Sequence, residues 1–215
     1  MRHVYQTLLD TVAWMALARC AWLAVGLIRA IPVHRRARTR RWGLAEIFAF
    51  AELPLFLVVS GYFFSRPPAE APTAIAWLAA LSGCTLASTG VFVSLWSIYT
   101  TLRAGIVLDA GHYIKDEHPL VTTGAYGLVR NPMYLGVFLI WLGLAIAFRS
   151  SVAFLLTVLY VIPAYLVYIR SEEGMMRSEF GPAYERYRAR VGSVLPRRSQ
   201  FARCAGLARG PRIDP

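Results

Sequence analysis

Charge is what this sequence has least of. Asp, Glu, Lys and Arg make up 16% of its 215 residues, where a soluble domain carries about a quarter. Lysine occurs once, at Lys115. With 57% of the residues hydrophobic and gathered in long runs, an ordinary soluble fold is excluded and the bilayer becomes the solvent. Cysteine is scarce as well. Cys20, Cys84 and Cys204 are odd in number and lack metal-ligand spacing, and two of them lie in apolar runs, so they read as reduced structural thiols. No metal cluster or nucleophilic side chain stands out, and neither internal repeats nor paired broken helices mark a transporter. The first apolar run is too long, and too interrupted by Arg19 and Arg29, to read as a cleaved signal peptide.

The charge that is present is basic. The formal net charge is +11, nearly all of it from arginines between and after the apolar runs. There it sets orientation and meets anionic lipid rather than nucleic acid. Five apolar runs can be drawn, at 9–31, 44–64, 73–102, 133–148 and 152–169. A bilayer core needs about 20 helical residues, so the fourth run is short for a span and the long third one must tilt or project. The expected fold is an all-α membrane protein with about five transmembrane helices. Residues 1–102 carry the first three, 103–198 carry the last two with the polar segments around them, and 199–215 form a disordered basic tail. The basic stretch HRRARTRR at 34–41 and the basic chain after Ile169 place the N-terminus outside and the C-terminus in the cytoplasm. The loop 34–41, the segment 103–132 and the chain from 170 onward then share one membrane face.

Between the fourth and fifth runs stand only Arg149-Ser150-Ser151, so these two helices must form a tight antiparallel hairpin. Gly136 and Gly143 are expected to let the two arms approach closely, and Pro163 to free the carbonyl of Leu159 and kink the second arm. The hairpin returns the chain to the face it left, which makes neighbours of 124–134 and 168–173. Farther on, PAYERYRARVG at 182–192 reads as a short basic amphipathic helix. Tyr184, Tyr187 and Val191 lie on one face and Arg186 and Arg190 on another, suited to a membrane surface or a lid. Arg19 and Glu52, in the first two runs, read as a structural ion pair.

The polar head of the hairpin is GAYGLVRNPMYLG at 124–136. Asn131 suits a helix N-cap and Pro132 the first helical position. A helix beginning there turns its first N–H groups and positive dipole end toward the polar face, ready for a carboxylate or phosphate. Gly124 and Gly127 permit close backbone approach. Across the hairpin stand Glu172 and Glu173, read as lying at the C-terminal end of the fifth helix. A negative pair opposite a helix N-terminus suits a ligand carrying both charges, such as an amino acid.

Two stretches then carry a family resemblance. His118-Pro119-Leu120-Val121-Thr122-Thr123-Gly124-Ala125-Tyr126 is followed by Arg130-Asn131-Pro132-Met133-Tyr134-Leu135-Gly136. In the second half come Arg170-Ser171-Glu172-Glu173, Phe180-Gly181, Tyr184, Tyr187 and Pro196. Together, over roughly 103–198, they resemble the isoprenylcysteine carboxyl methyltransferase family and its phospholipid methyltransferase relatives. The resemblance implies an integral membrane methyltransferase using S-adenosylmethionine, with its cofactor pocket on the cytoplasmic face. It implies that His118, Pro119, Leu120 and Val121 line the cofactor. Tyr126, Asn131, Pro132, Met133 and Tyr134 would contact it, and Glu172 would hold a polar group. Arg170 is the residue expected to orient the substrate. Asn131 stands where the eukaryotic members have His, Ala125 replaces a common Pro, and Gly127 a bulkier residue.

Methyl transfer is an in-line displacement at a sulfonium carbon, so positioning and exclusion of water supply most of the rate. Aromatic faces such as Tyr126 and Tyr134 stabilise a sulfonium cation. An acidic acceptor arrives ionised and needs only an arginine. An amine or thiol must first lose a proton, which makes Glu173 a candidate base. The sequence leaves that choice open. The partners expected are membrane lipid and a lipophilic methyl acceptor (a prenylcysteine carboxylate, a lipid or a small hydrophobic molecule), with no nucleic acid and no metal. Two other readings are a sterol-type reductase binding NADPH at a similar hairpin mouth, whose 2′-phosphate would call for a denser basic lining, and a non-catalytic membrane scaffold or transporter.

Overall fold

The computed structural model describes residues 1–15, 17–18, 21, 54–55, 57–58, 61, 72–105, 119–197 and 200. His118, Arg19, Glu52, Cys20, Cys204, the basic loop 34–41 and the tail 201–215 lie outside these residues, as does most of the second apolar run. Among the described residues the chain is helical, with a single parallel β-bridge between Val129 and Gly192. Residues 2–15 form α1, which therefore starts before the apolar run does. There follow α2 (Ala74–Arg103), the one-turn α3 (Ala125–Leu128), α4 (Pro132–Ala147), α5 (Ser151–Leu156), a π-helical turn (Thr157–Val161) and α6 (Ile162–Arg190).

Among the described residues, two continuous helices are long and apolar enough to cross a membrane: α2, and the run from Ser151 to Arg190. α4 has 16 residues and spans about 24 Å at 1.5 Å per residue, short of a hydrocarbon core of about 30 Å. Ile75, Leu78, Leu81, Phe92, Leu95 and Leu102 on α2 and Val152, Leu155 and Leu159 on the return arm stay exposed. Such surfaces are stable when lipid covers them.

α2 starts at Thr73, whose side chain accepts the Ala76 amide at 3.2 Å. α4 packs along it through glycines spaced seven residues apart on both helices. A Cβ added at Gly143 would strike Ala87 and the Gly83 carbonyl, and one at Gly136 would strike Ser94 and the Gly90 carbonyl. The expected role of Gly136 and Gly143 is thus corrected. They admit the backbone of α2, not that of the hairpin's return arm, because the small face of α4 is turned toward α2. The core continues through Trp141, Leu144, Val137 and Ile140 and is joined by Leu9, Val12 and Ala13 of α1. Tyr5 meets Trp77 edge to face at 5.2 Å.

The tight hairpin forms as expected. α4 ends at Phe148, Arg149 takes a positive φ of 53°, and Ser150 caps α5 by accepting the Ala153 amide at 3.2 Å. Pro163 does not break the return arm. The π-turn lies just before it, with the Ile162 amide reaching back to Thr157, so the backbone widens by one residue where proline would have clashed. The arm then runs past Glu172 and Glu173 to Gly181, whose φ of 48° and ψ of −125° split α6 in two. The glutamates accordingly lie within a helix rather than at its C-terminal end.

Beyond Gly181 the second piece of α6 folds back toward the loop 120–131. Tyr184, Tyr187 and Val191 are buried together against Leu120 and Phe180, while Arg186 and Arg190 point outward. The two faces are those read from the sequence, but the apolar one is covered by protein rather than by lipid. Gln200, assigned by the sequence to the disordered tail, is held in place. Its amide donates to the carbonyls of Gly127 and Leu128 and accepts from the Gly192 and Arg197 amides.

Candidate active site

Arg130, Asn131 and Tyr134 from the head of α4 meet Glu172 and Glu173 at the mouth of the hairpin. Arg130 and Asn131, just ahead of α4, meet Glu173 on α6. Glu173 Oε1 accepts from Arg130 Nη2 at 2.8 Å and Nε at 3.2 Å, from Asn131 Nδ2 at 3.1 Å and from Ser193 Oγ at 3.0 Å. Arg130 and Glu173 are both buried, at 8% and 9% exposure, so the charges are sheltered from solvent screening and bound to each other. Arg130 Nη1 also donates to the carbonyls of Arg188 and Val191. The arginine thereby ties three segments together: the head of α4, the middle of α6 and the end of α6.

The backbone reinforces the tie. The Arg130 amide donates to the Gly192 carbonyl at 2.8 Å and the Asn131 amide to the Ser193 carbonyl at 3.0 Å. Pro132 occupies the first helical position as expected. Asn131, however, makes no side-chain cap. Its amide group donates instead to Glu173 and, at 3.0 Å, to Ser193 Oγ. The helix start expected to be open to an anion is thus crossed by residues 192–193, and two of the amides ahead of it already have partners.

Glu172 sits apart from this clasp. Its Oε2 accepts from the Tyr134 phenol at 2.8 Å, and the Tyr168 hydroxyl bonds the same carboxylate. Tyr134 packs at a tilt against Tyr165 at 5.4 Å and edge-on against Tyr168 at 5.7 Å, so an aromatic wall rises beside the carboxylate. The apolar run ends at Ile169, and both glutamates lie past it. Burial pushes the Glu172 carboxyl up to about 7, the two phenol hydrogen bonds oppose that rise, and the Glu173 charge adds to it. For Glu173, burial also acts upward, but the hydrogen bond and charge of Arg130, with Ser193 and Asn131, outweigh it and hold the carboxyl below its ordinary value. Adjacent carboxyls are thereby driven in opposite directions.

Tyr126 faces the same region from α3. Gly124 introduces it with a positive φ of 59°, and a Cβ there would press on Thr100. Pro119, Leu120 and Val121 lead into that loop, and Leu120 packs on the tyrosine cluster of α6. Met133 is half-buried on α4. Arg170 is exposed on α6, two residues before Glu172. Arg130 was visible in the sequence only as part of the helix head. Ser193 and Ser97 went unread, because single serines in a loop and in an apolar run give no periodic signal.

The sequence model of the phospholipid methyltransferase family matches residues 78–183. Among curated proteins, a protein-S-isoprenylcysteine O-methyltransferase of Schizosaccharomyces pombe is 39% identical over 103 residues, covering 44% of this chain and 44% of the relative. A probable protein-S-isoprenylcysteine O-methyltransferase of Oryza sativa is 33% identical over 124 residues, covering 56% of this chain and 62% of the relative. Protein-S-isoprenylcysteine O-methyltransferase B of Arabidopsis thaliana is 33% identical over 104 residues, covering 44% of this chain and 52% of the relative. The chain thus spans about half the length of the curated relatives it matches, and no solved structure matches it. The matched segment takes in most of α2, the hairpin and both glutamates, and these matches support the resemblance to the phospholipid methyltransferase and isoprenylcysteine methyltransferase family.

Proposed function

We propose that this chain is a multi-pass membrane methyltransferase that binds S-adenosylmethionine at the cytoplasmic mouth of the hairpin and methylates a lipophilic acceptor. One observation carries the reading: Asn131 and Tyr134 at the head of α4 are hydrogen-bonded to Glu173 and Glu172 on the return arm. The motif residues of the two halves form one polar site at the end of an apolar hairpin. The bound cofactor would supply an activated methyl group on a sulfonium.

The residues present fit that group. Glu172, half-buried and raised in pKa, is a receptor for an ammonium, which would restore its ionised form. Tyr126, Tyr134, Tyr165 and Tyr168 offer aromatic faces beside it, suited to a soft cation. Pro119, Leu120 and Val121 in the loop, with Met133 on α4, would give an apolar lining for the nucleoside end, and His118, which the resemblance adds to this set, would extend it. Arg170, exposed at the level where the apolar run ends, orients an anionic acceptor arriving along the membrane. Glu173 takes a different role from the base considered above. With its Oε1 accepting four hydrogen bonds and its carboxyl held ionised, it positions the loop and leaves the proton economy of the site to other groups. That favours an acceptor already ionised, such as a carboxylate, over an amine or thiol.

A thermal-shift series on the detergent-solubilised protein tests this reading. S-adenosylhomocysteine at a hundredfold excess over its dissociation constant should stabilise the protein by about 2.7 kcal/mol, while NADPH leaves the midpoint unmoved. A shift with NADPH alone would assign the site to the reductase chemistry, and no shift with either would remove the cofactor site. Radiolabelled methyl transfer into a lipid extract then identifies the acceptor class.

A further inference from the structure

α2 carries a line of hydroxyl side chains, and most of those described turn back on their own helix. Ser82, Thr85, Thr89 and Thr100 each donate to a carbonyl four residues earlier, at 2.7 to 2.8 Å. Ser97 does not. It is fully buried, at 0% exposure, and its Oγ donates across to the Tyr126 phenol oxygen at 3.1 Å. Thr101, one turn on, donates to the Ser97 carbonyl at 3.4 Å and to that of Ile98 at 2.9 Å.

Tyr126 is therefore held at both ends. Its carbonyl accepts from the Tyr187 hydroxyl at 2.7 Å, its amide donates to the Thr123 carbonyl at 3.1 Å, and its phenol is fixed by Ser97. A phenol has one proton and keeps it near the ring plane. Once Ser97 donates to the oxygen, that proton is left for a different acceptor. Burial raises the Tyr126 phenol above its ordinary value, the Ser97 bond opposes this, and the charge of Glu172 adds to the rise. The phenol thus stays protonated, within reach of the Glu172 charge.

We propose that Ser97, on α2 and outside both motifs, is a positioning residue of the ligand site: it orients the Tyr126 phenol so that its proton is given to an oxygen of the bound ligand. The inference rests on the S-adenosylmethionine reading above and extends the site to a helix that carries neither motif.

The test is S-adenosylhomocysteine binding by calorimetry to the full chain in detergent, for the wild type, Ser97→Ala, Ser97→Cys, Tyr126→Phe and the Ser97→Ala/Tyr126→Phe double variant. Ser97→Cys keeps the volume of the side chain and weakens the donor, which guards against a packing defect. Ser97→Ala, Ser97→Cys and Tyr126→Phe should each weaken binding about fivefold, the worth of one ordinary hydrogen bond. The double variant should bind no more weakly than Tyr126→Phe, a coupling that a merely structural serine would not show. Wild-type affinity in both Ser97 variants, or losses that multiply in the double variant, would overturn the inference and leave the proposed function standing. No binding by the wild type would overturn both.

Discussion

Asn131 and Glu173 are hydrogen-bonded at 3.1 Å across a hairpin that separates them by 42 residues. Neither side chain is used as its local sequence suggests. The asparagine does not cap the helix it precedes, and the glutamate is not a solvated residue at a helix end. Both serve a buried clasp with Arg130 and Ser193, and the clasp sets where the neighbouring Glu172 and the loop carrying Tyr126 stand.

Removing one partner of that clasp should be severe. Arg130→Ala leaves a buried carboxylate without its counter-charge and frees the carbonyls of Arg188 and Val191. A loss of about 3 kcal/mol is expected, read as a fall in the thermal midpoint in detergent. Glu173→Gln keeps an acceptor oxygen and should lose less than Glu173→Ala. Equal midpoints for these two variants would show that the retained acceptor oxygen contributes nothing without the charge.

Glu172 gives a pH dependence of definite sign. Its folded-state pKa of about 7 lies above the ordinary 4.5, so between those values the folded chain holds more proton than the unfolded one. Stability must therefore fall as pH rises from 4.5 to 7, with the full penalty present above 7. Glu172→Gln removes that titration. Its midpoint should match the wild type near pH 4 and exceed it at pH 8 by an amount equivalent to about 3 kcal/mol. Parallel curves for the two proteins would place the carboxyl at its ordinary pKa.

The glycines of the helix contact are expected to behave unlike a glycine that merely lies in a helix. Gly143→Ala drives a methyl group into Ala87 and the Gly83 carbonyl, and overpacking of this kind costs about 1–3 kcal/mol. Gly174, in the middle of α6, has open space where its Cβ would stand. Gly174→Ala should stabilise the protein by about 0.5–1 kcal/mol through helix propensity. Thermal unfolding of the pair checks both signs at once.

Gln200 offers a gentler test of the same architecture. Its side chain joins Gly127 and Leu128 to Gly192 and Arg197, at a half-buried position. Gln200→Ala should cost no more than about 1 kcal/mol while speeding amide exchange at Gly192. Unchanged exchange there would mean that the 192–197 segment is held by Arg130 and its backbone bonds alone.

What was legible in the sequence was whatever depends on local pattern. Long apolar runs demand helices in lipid, because unpaired backbone groups there have no water to meet. The three-residue link at 149–151 left no geometry but a hairpin. Proline at 132 set a helix start, and the tyrosine and arginine faces of 182–191 appeared at their helical spacing. The convergence of the Asn-Pro head with the paired glutamates followed from these, since a hairpin must bring its ends together.

Which atoms meet at that convergence was decided only by the tertiary structure. The partner of Gly136 and Gly143 proved to be α2, a choice between helix faces on which composition is silent. A π-turn absorbed Pro163 without a break. Above all, two adjacent glutamates of identical chemistry were separated into a locked carboxylate and a titratable one. Sequence determines that charges will stand at the end of an apolar hairpin. Their individual roles come from side-chain direction along a helix, where residues one position apart point about 100° apart and meet different neighbours.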